Sequence, residues 1–128
     1  MTVKPETKFG RLLMKNIDAH LERFETYGKV GVPDLYGIRK GRVIWAELKC
    51  IKQNSISLSP FQISWNYNNF QRGGKNYYIV QDARSKVIKL YDGDKGRELK
   101  EKGWDCTLDL LYTEFPYDWE RLGNYLFS

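Results

Sequence analysis

Gly31-Val32-Pro33-Asp34-Leu35-Tyr36-Gly37-Ile38-Arg39-Lys40-Gly41-Arg42-Val43-Ile44-Trp45-Ala46-Glu47-Leu48-Lys49-Cys50 is the stretch on which the fold turns. Val32 to Ile38 reads as a strand, with Pro33 favouring an edge or a bulge. Arg42 to Cys50 reads as a second strand, rich in apolar and β-favouring residues. The Arg39-Lys40-Gly41-Arg42 group between them is a turn, so the two runs predict a β-hairpin. Side chains alternate between the faces of a strand. Glu47 and Lys49 therefore share a face with Val43 and Trp45, while Ile44, Ala46 and Leu48 face a core. A Glu and a Lys on an otherwise apolar strand are costly if buried without partners. Asp34 lies across the hairpin, and neighbouring strands are about 4.8 Å apart. Asp34 and Glu47 can thus converge at one end of the sheet. Two converging carboxylates repel unless a cation lies between them. Oxygen ligands without histidine or thiolate favour Mg²⁺, with Mn²⁺ as a substitute. Lys49 would face the same pocket.

The flanking sequence extends this hairpin into an α/β unit. Residues 5–22 read as a helix, with Pro5 at its first position and Phe9, Leu12, Leu13, Ile17 and Leu21 on one face. Residues 23–27 read as a short extended piece, and Gly28 and Gly31 break the chain. After a loop at Gln53 to Ser57, Ser59-Pro60-Phe61-Gln62 reads as a helix start, with Ser59 as cap and Gln62 at the capping-box position. That helix should stop at Gly73-Gly74. Strands are expected at Asn76–Gln81 and Lys86–Tyr91, and a helix near Tyr117–Leu126. Strand, helix and strand from Lys49 to Asn76 read as a parallel crossover. The expected fold is a mixed sheet of four to five strands flanked by helices, in one domain over 1–128. Its core is read as about 5–91, with 92–128 as an extension of unknown role.

Composition narrows the classes. The 128 residues are 41% hydrophobic and 15% aromatic, which suits a globular domain rather than a disordered chain. No apolar run is long enough for a transmembrane helix, and no secretory leader is visible after Met1. Two cysteines and one histidine, His20, exclude a zinc site built from those residue types alone. His20 reads as an ordinary residue late in the first helix. The cysteine usage suits a reducing, cytoplasmic setting. The formal net charge is +5. Residues 1–103 hold 20 basic side chains against 11 acidic ones, whereas residues 104–128 hold one against five. A basic body suggests a polyanionic partner.

Gly31-Val32-Pro33-Asp34 followed by Glu47-Leu48-Lys49 resembles the signature of the PD-(D/E)XK nuclease superfamily. The aliphatic run into Glu47, the helix opening at Leu58–Gln62, the Gly73-Gly74 stop and the strand Tyr77–Val80 resemble its VRR-NUC and Holliday-junction-resolvase-like branch, which includes small phage-type nucleases. The likeness spans about residues 6–81. It implies a restriction-endonuclease-like core and Mg²⁺-dependent hydrolysis of DNA phosphodiester bonds, on branched or otherwise structured DNA, by a homodimer. Nicking or restriction-type cutting of ordinary duplex is the alternative within the enzyme class. A non-catalytic nucleic-acid-binding module on the same fold is the alternative outside it. The resemblance implies that Asp34, Glu47 and the Leu48 backbone carbonyl ligate the metal. Lys49 would orient or deprotonate the attacking water or stabilise developing charge. It further implies Glu6 as an acidic residue near the metal, with Glu25 as rival, and Gln62 as a supporting residue that equally fits a capping box.

Arg39, Lys40, Arg42, Lys52, Arg72 and Lys75 are the candidate nucleic-acid-binding residues. Backbone N–H groups at the Gly73-Gly74 turn, with Arg72 and Lys75 beside them, could hold a phosphate. Trp45, Trp65, Tyr67, Phe70, Tyr77 and Tyr78 read as core or subunit contacts rather than base-stacking groups.

Overall fold

Apolar spacing and turn chemistry build a six-stranded sheet, one strand more than the upper end of the expected range. The computed structural model describes residues 3–24 and 31–128. The elements in chain order are α1 (Pro5–Asn16), β1 (His20–Arg23), β2 (Leu35–Arg39), β3 (Arg42–Ile51), α2 (Pro60–Gln71), β4 (Asn76–Asp82), β5 (Val87–Asp92), α3 (Gly96–Lys102), a 3₁₀ turn (Gly103–Asp105), β6 (Leu111–Glu114) and α4 (Trp119–Leu126). The strands lie side by side in sequence order. Every neighbouring pair is antiparallel except β3 and β4, which are parallel and bridged by α2, as the crossover reading expects.

The first helix is shorter than expected, and the difference has a physical cause. Phe9 and Leu13 are buried on α1, and Ile17 and Leu21 are buried too. Their four-residue spacing suits a helix, but it equally suits a helix followed by a turn and a strand. Asn16 and Asp18 are weak helix formers that offer local hydrogen bonds. Asn16 caps back onto the Leu12 carbonyl at 2.9 Å, and Ile17 is already extended. The chain then pairs Arg23 with Leu35 at the end of β1. His20 consequently opens an edge strand, exposed and 2.9 Å from Glu22, instead of closing a helix. Gly28, Glu25 and most of the extended piece read at 23–27 lie outside the described residues.

Two apolar clusters cover the two faces of the sheet. One gathers Ile44, Ala46 and Leu48 of β3 with Phe9 and Leu13 of α1 and Leu122, Leu126 and Phe127 at the C-terminus. The other gathers Ile51, Tyr78, Val80 and Tyr91 with Leu99 of α3. The alternation read for β3 therefore holds, and Glu47 belongs to the second face. Residues 92–128, read from sequence only as a turn or loop at Asp92–Gly96 and a last helix, supply α3, whose Leu99 joins the second cluster, and the β6 and α4 side chains that complete the first. Asp118 caps α4 by accepting from the Arg121 N–H at 3.0 Å.

Gly31 fixes how the motif loop meets α2. Its φ is +88°, a conformation that costs an L side chain free energy. A Cβ there would also collide with the Phe61 carbonyl in the first turn of α2. Gly31→Ala is expected to lower stability by about 1–3 kcal/mol, read by urea denaturation. An unchanged midpoint would show that the loop relaxes freely.

Candidate active site

The site begins where β2 stops. Odd-numbered residues of β3 turn their backbone groups toward β4, since the Trp45 N–H bonds the Lys75 carbonyl at 2.9 Å. Even-numbered ones face β2. The β2–β3 register ends at Leu35 opposite Ala46. Continued by two residues, it would set Pro33 opposite Leu48. Proline has no N–H, so it cannot extend the ladder. The Leu48 N–H instead donates to Asp34 Oδ2 at 3.1 Å. The Cys50 N–H, two residues on, donates to Glu6 Oε2 at 3.0 Å. Two backbone donors left over by a truncated strand are thus satisfied by two carboxylates. Pro33 also denies the Leu48 carbonyl the donor that a longer β2 would have supplied.

Glu47 is the most constrained of these groups. It is fully buried at 0% exposure. Gln62 Nε2 donates to its Oε1 at 2.6 Å, and its Oε2 has no protein partner among the described residues. Burial pushes its carboxyl well above the usual carboxylate range. The charge of Asp34 pushes the same way, while Lys49 pulls down. A carboxylate buried against another carboxylate with one oxygen unpartnered is unfavourable unless a cation or a proton joins them. The donors are hard oxygens, and the thiol nearby does not compete: burial, then the charge of Glu6, pushes Cys50 up to about 12. The residues present therefore fit a hard divalent cation held by Asp34, Glu47 and the Leu48 carbonyl. Among the described residues no group of three or more His, Cys, Asp or Glu gathers closely enough to hold a metal. Water would fill the remaining positions, as Mg²⁺ commonly requires.

Gln62 joins the two roles that were alternatives in the sequence. Its Oε1 accepts from the Ser59 N–H at 2.9 Å, and its own N–H donates to Ser59 Oγ at 3.1 Å, closing a capping box. The same amide presents its other end to Glu47. One side chain both starts α2 and orients a site carboxylate. Gln62→Leu should therefore cost about 0.5–2 kcal/mol of stability through the cap and slow any turnover at Glu47 as well. Ser59→Ala should reproduce the stability loss with a smaller effect on rate. Equal effects of both on rate would reduce Gln62 to a cap.

A cleft of about 540 Å³ opens at this end of the sheet, with Lys4, Glu6, Arg23, Asp34, Lys49 and Gln62 on its walls. Lys49 stands two residues beyond Glu47 on the same face and makes no ion pair among the described residues. Arg23 went unread in the sequence. Its Nε is buried without a hydrogen-bond partner among the described residues. Reading 20–23 as a strand paired with β2 would have placed it opposite Leu35, at the end of the ladder next to the motif loop.

No family model matches the chain, and no curated protein matches it. Among solved structures, Hjc, a Holliday junction resolvase from the archaeal hyperthermophile Archaeoglobus fulgidus, superposes with a TM-score of 0.55 and 16% sequence identity, over 70% of this chain and 74% of that chain. The fold is resolvase-like.

The candidate nucleic-acid-binding residues divide between the two ends of this resolvase-like sheet. Arg39, Lys40 and Arg42 flank the β2–β3 turn, roughly 16 Å along the strand from Glu47. Arg39 is tied inside the protein: its guanidinium donates to the Asp18 and Gly123 carbonyls and to Asn124 Oδ1, and lies over the Phe127 ring. Arg72 and Lys75 flank the turn before β4, near the Arg42 end. Lys52, just past β3, is exposed at the cleft end of the sheet. Of the aromatics, Tyr77 and Tyr78 are buried in the clusters as expected. Trp45 and Trp65 are in neither cluster, and Tyr67 is 48% exposed.

Proposed function

We propose that this chain is a Mg²⁺-dependent endonuclease of the PD-(D/E)XK type that hydrolyses phosphodiester bonds in branched or otherwise structured DNA. The observation that carries the reading is the juxtaposition of Asp34 with the buried, half-unpartnered Glu47, beside Lys49 at one end of a resolvase-like sheet. In this reading Asp34, Glu47 and the Leu48 carbonyl hold the cation. When bound, such a cation lowers the pKa of a coordinated water and offsets charge on the non-bridging phosphate oxygens. Lys49 would orient an attacking water, take part in its deprotonation or stabilise charge developing on the phosphate. Gln62 keeps Glu47 in the ligating rotamer. Glu6 anchors the end of β3 through Cys50. Arg23, a cation on the cleft wall with its Nε unspent, contacts the phosphate. The formal charge of +5 supports a polyanionic substrate. A homodimer would supply one site for each strand to be cut.

The test is cleavage of an end-labelled four-way junction, a fork and a linear duplex, with Mg²⁺, with Mn²⁺ and with chelator. Metal-dependent cutting of the junction or fork in preference to duplex is expected. Equal cutting of duplex would make this a nicking or restriction-type enzyme. Binding without cutting of any substrate would make it a non-catalytic module.

A further inference from the structure

We propose that a partly exposed aromatic surface beside the cleft is a stacking platform for an unpaired base next to the phosphate being cut. The inference rests on the nuclease reading and names the feature of structured DNA that the site selects. Phe24, Tyr36, Trp45 and Trp65 form a connected set. Phe24 and Trp45 stack with centroids 5.7 Å apart and planes at 26°. Tyr36 meets Trp45 edge-on at 5.4 Å, and Trp65 meets it at 5.6 Å. All four are only partly buried, and none belongs to either apolar cluster. They pack on one another instead of on the core. Phe61, one helical turn before Trp65 and adjacent to Gln62, is 60% exposed.

Position argues for what this surface takes. Trp45 precedes Glu47 by two residues on the same face of β3, and its register partner Tyr36 follows Asp34 by two. Two residues of strand span roughly 7 Å, about two steps of stacked bases. Phe24 itself lines the cleft with Arg23, Asp34 and Lys49. The rings are thus continuous with the proposed phosphate site, and Lys4, Arg23 and Lys49 suit a chain of phosphates carrying bases better than an apolar protein face. Flat aromatic groups next to a basic groove bind bases whose faces are free, and a paired base inside a duplex offers none. The occupant is therefore an unpaired nucleotide, as in a flap, a bulge or a splayed arm.

The experiment uses the full chain carrying Glu47→Gln, so that binding is read without cutting. The probe is a duplex with a single 2-aminopurine, placed either in a three-nucleotide bulge or opposite thymine. The bulged probe should bind about tenfold more tightly than the paired one, and its fluorescence should fall on binding as the base stacks. Adding Trp45→Ala should remove both the preference and the quench, whereas Trp45→Phe, which keeps a ring, should restore most of each. Trp65→Ala, on the helix surface, should weaken both with an unchanged circular dichroism spectrum. Equal affinity for the two probes, or a preference that survives Trp45→Ala, would overturn the platform while leaving the nuclease reading intact. A wild-type dimer that Trp45→Ala converts to monomers would also overturn it, by placing the rings between copies. The same quench in a wild-type protein that cuts no DNA with Mg²⁺ or Mn²⁺ would support a base-binding surface and defeat the nuclease reading alone.

Discussion

Asp34→Asn and Glu47→Gln are each expected to cut DNA at least about 10³-fold more slowly than the wild-type protein while binding it as tightly or more tightly. The conservative replacements matter. Asparagine at 34 retains an oxygen for the Leu48 N–H, and glutamine at 47 retains one for Gln62. Backbone packing is therefore preserved and only charge is lost. Removing a negative charge beside phosphate favours DNA binding, and removing a ligand to a divalent cation disfavours chemistry. Lys49→Ala should lower turnover to a similar degree without loosening metal binding. Single-turnover cleavage of a labelled junction, paired with a metal-free mobility shift, separates the two effects. Wild-type cutting rates in any of these variants would remove that residue from the chemistry.

Stability should depend on pH in an unusual direction. Glu47 has a folded pKa raised above its unfolded value, first by burial and then by Asp34. The folded protein therefore holds a proton that the unfolded chain releases. The stabilisation that this protonated group allows is complete below its ordinary pKa of about 4.3 and is lost as pH rises toward the elevated folded value. Metal-free protein should lose up to about 1.4 kcal/mol per pH unit over that window from this one group. Glu47→Gln should abolish that part of the slope and melt at a higher temperature than wild type at pH 8 without metal. Mg²⁺ should reverse the trend, because binding requires the ionised pair and releases a proton. The Mg²⁺-induced rise in melting temperature should then be larger at pH 8 than at pH 6 in wild type and absent in Glu47→Gln. Parallel pH profiles for the two proteins would show that Glu47 is not held protonated.

The hairpin, the capping box, the parallel crossover and the convergence of Asp34 with Glu47 were legible in the chain because each rests on local chemistry. Pro33 and Gly31 do double duty there, ending a ladder and admitting a close approach. The β1 strand was not legible, since Leu13, Ile17 and Leu21 satisfy a helical period and a helix–turn–strand path equally. Losing β1 also hid Arg23 and Phe24, which enter the cleft only through that strand's pairing. Apart from its last helix, the end of the chain was opaque for a different reason. Leu111, Leu122 and Leu126 are buried by contact with residues distant in sequence, and short elements such as β6 carry little periodicity of their own. Two functions of Gln62 that looked like rivals turned out compatible, because an amide has a donor and an acceptor end.

Anomalous diffraction from crystals grown with Mn²⁺ addresses the central claim most directly. The account predicts a peak at the Asp34 and Glu47 carboxylates, and its loss in Asp34→Asn. A fully occupied peak elsewhere on the protein, with Asp34 and Glu47 sharing only a proton, would contradict it.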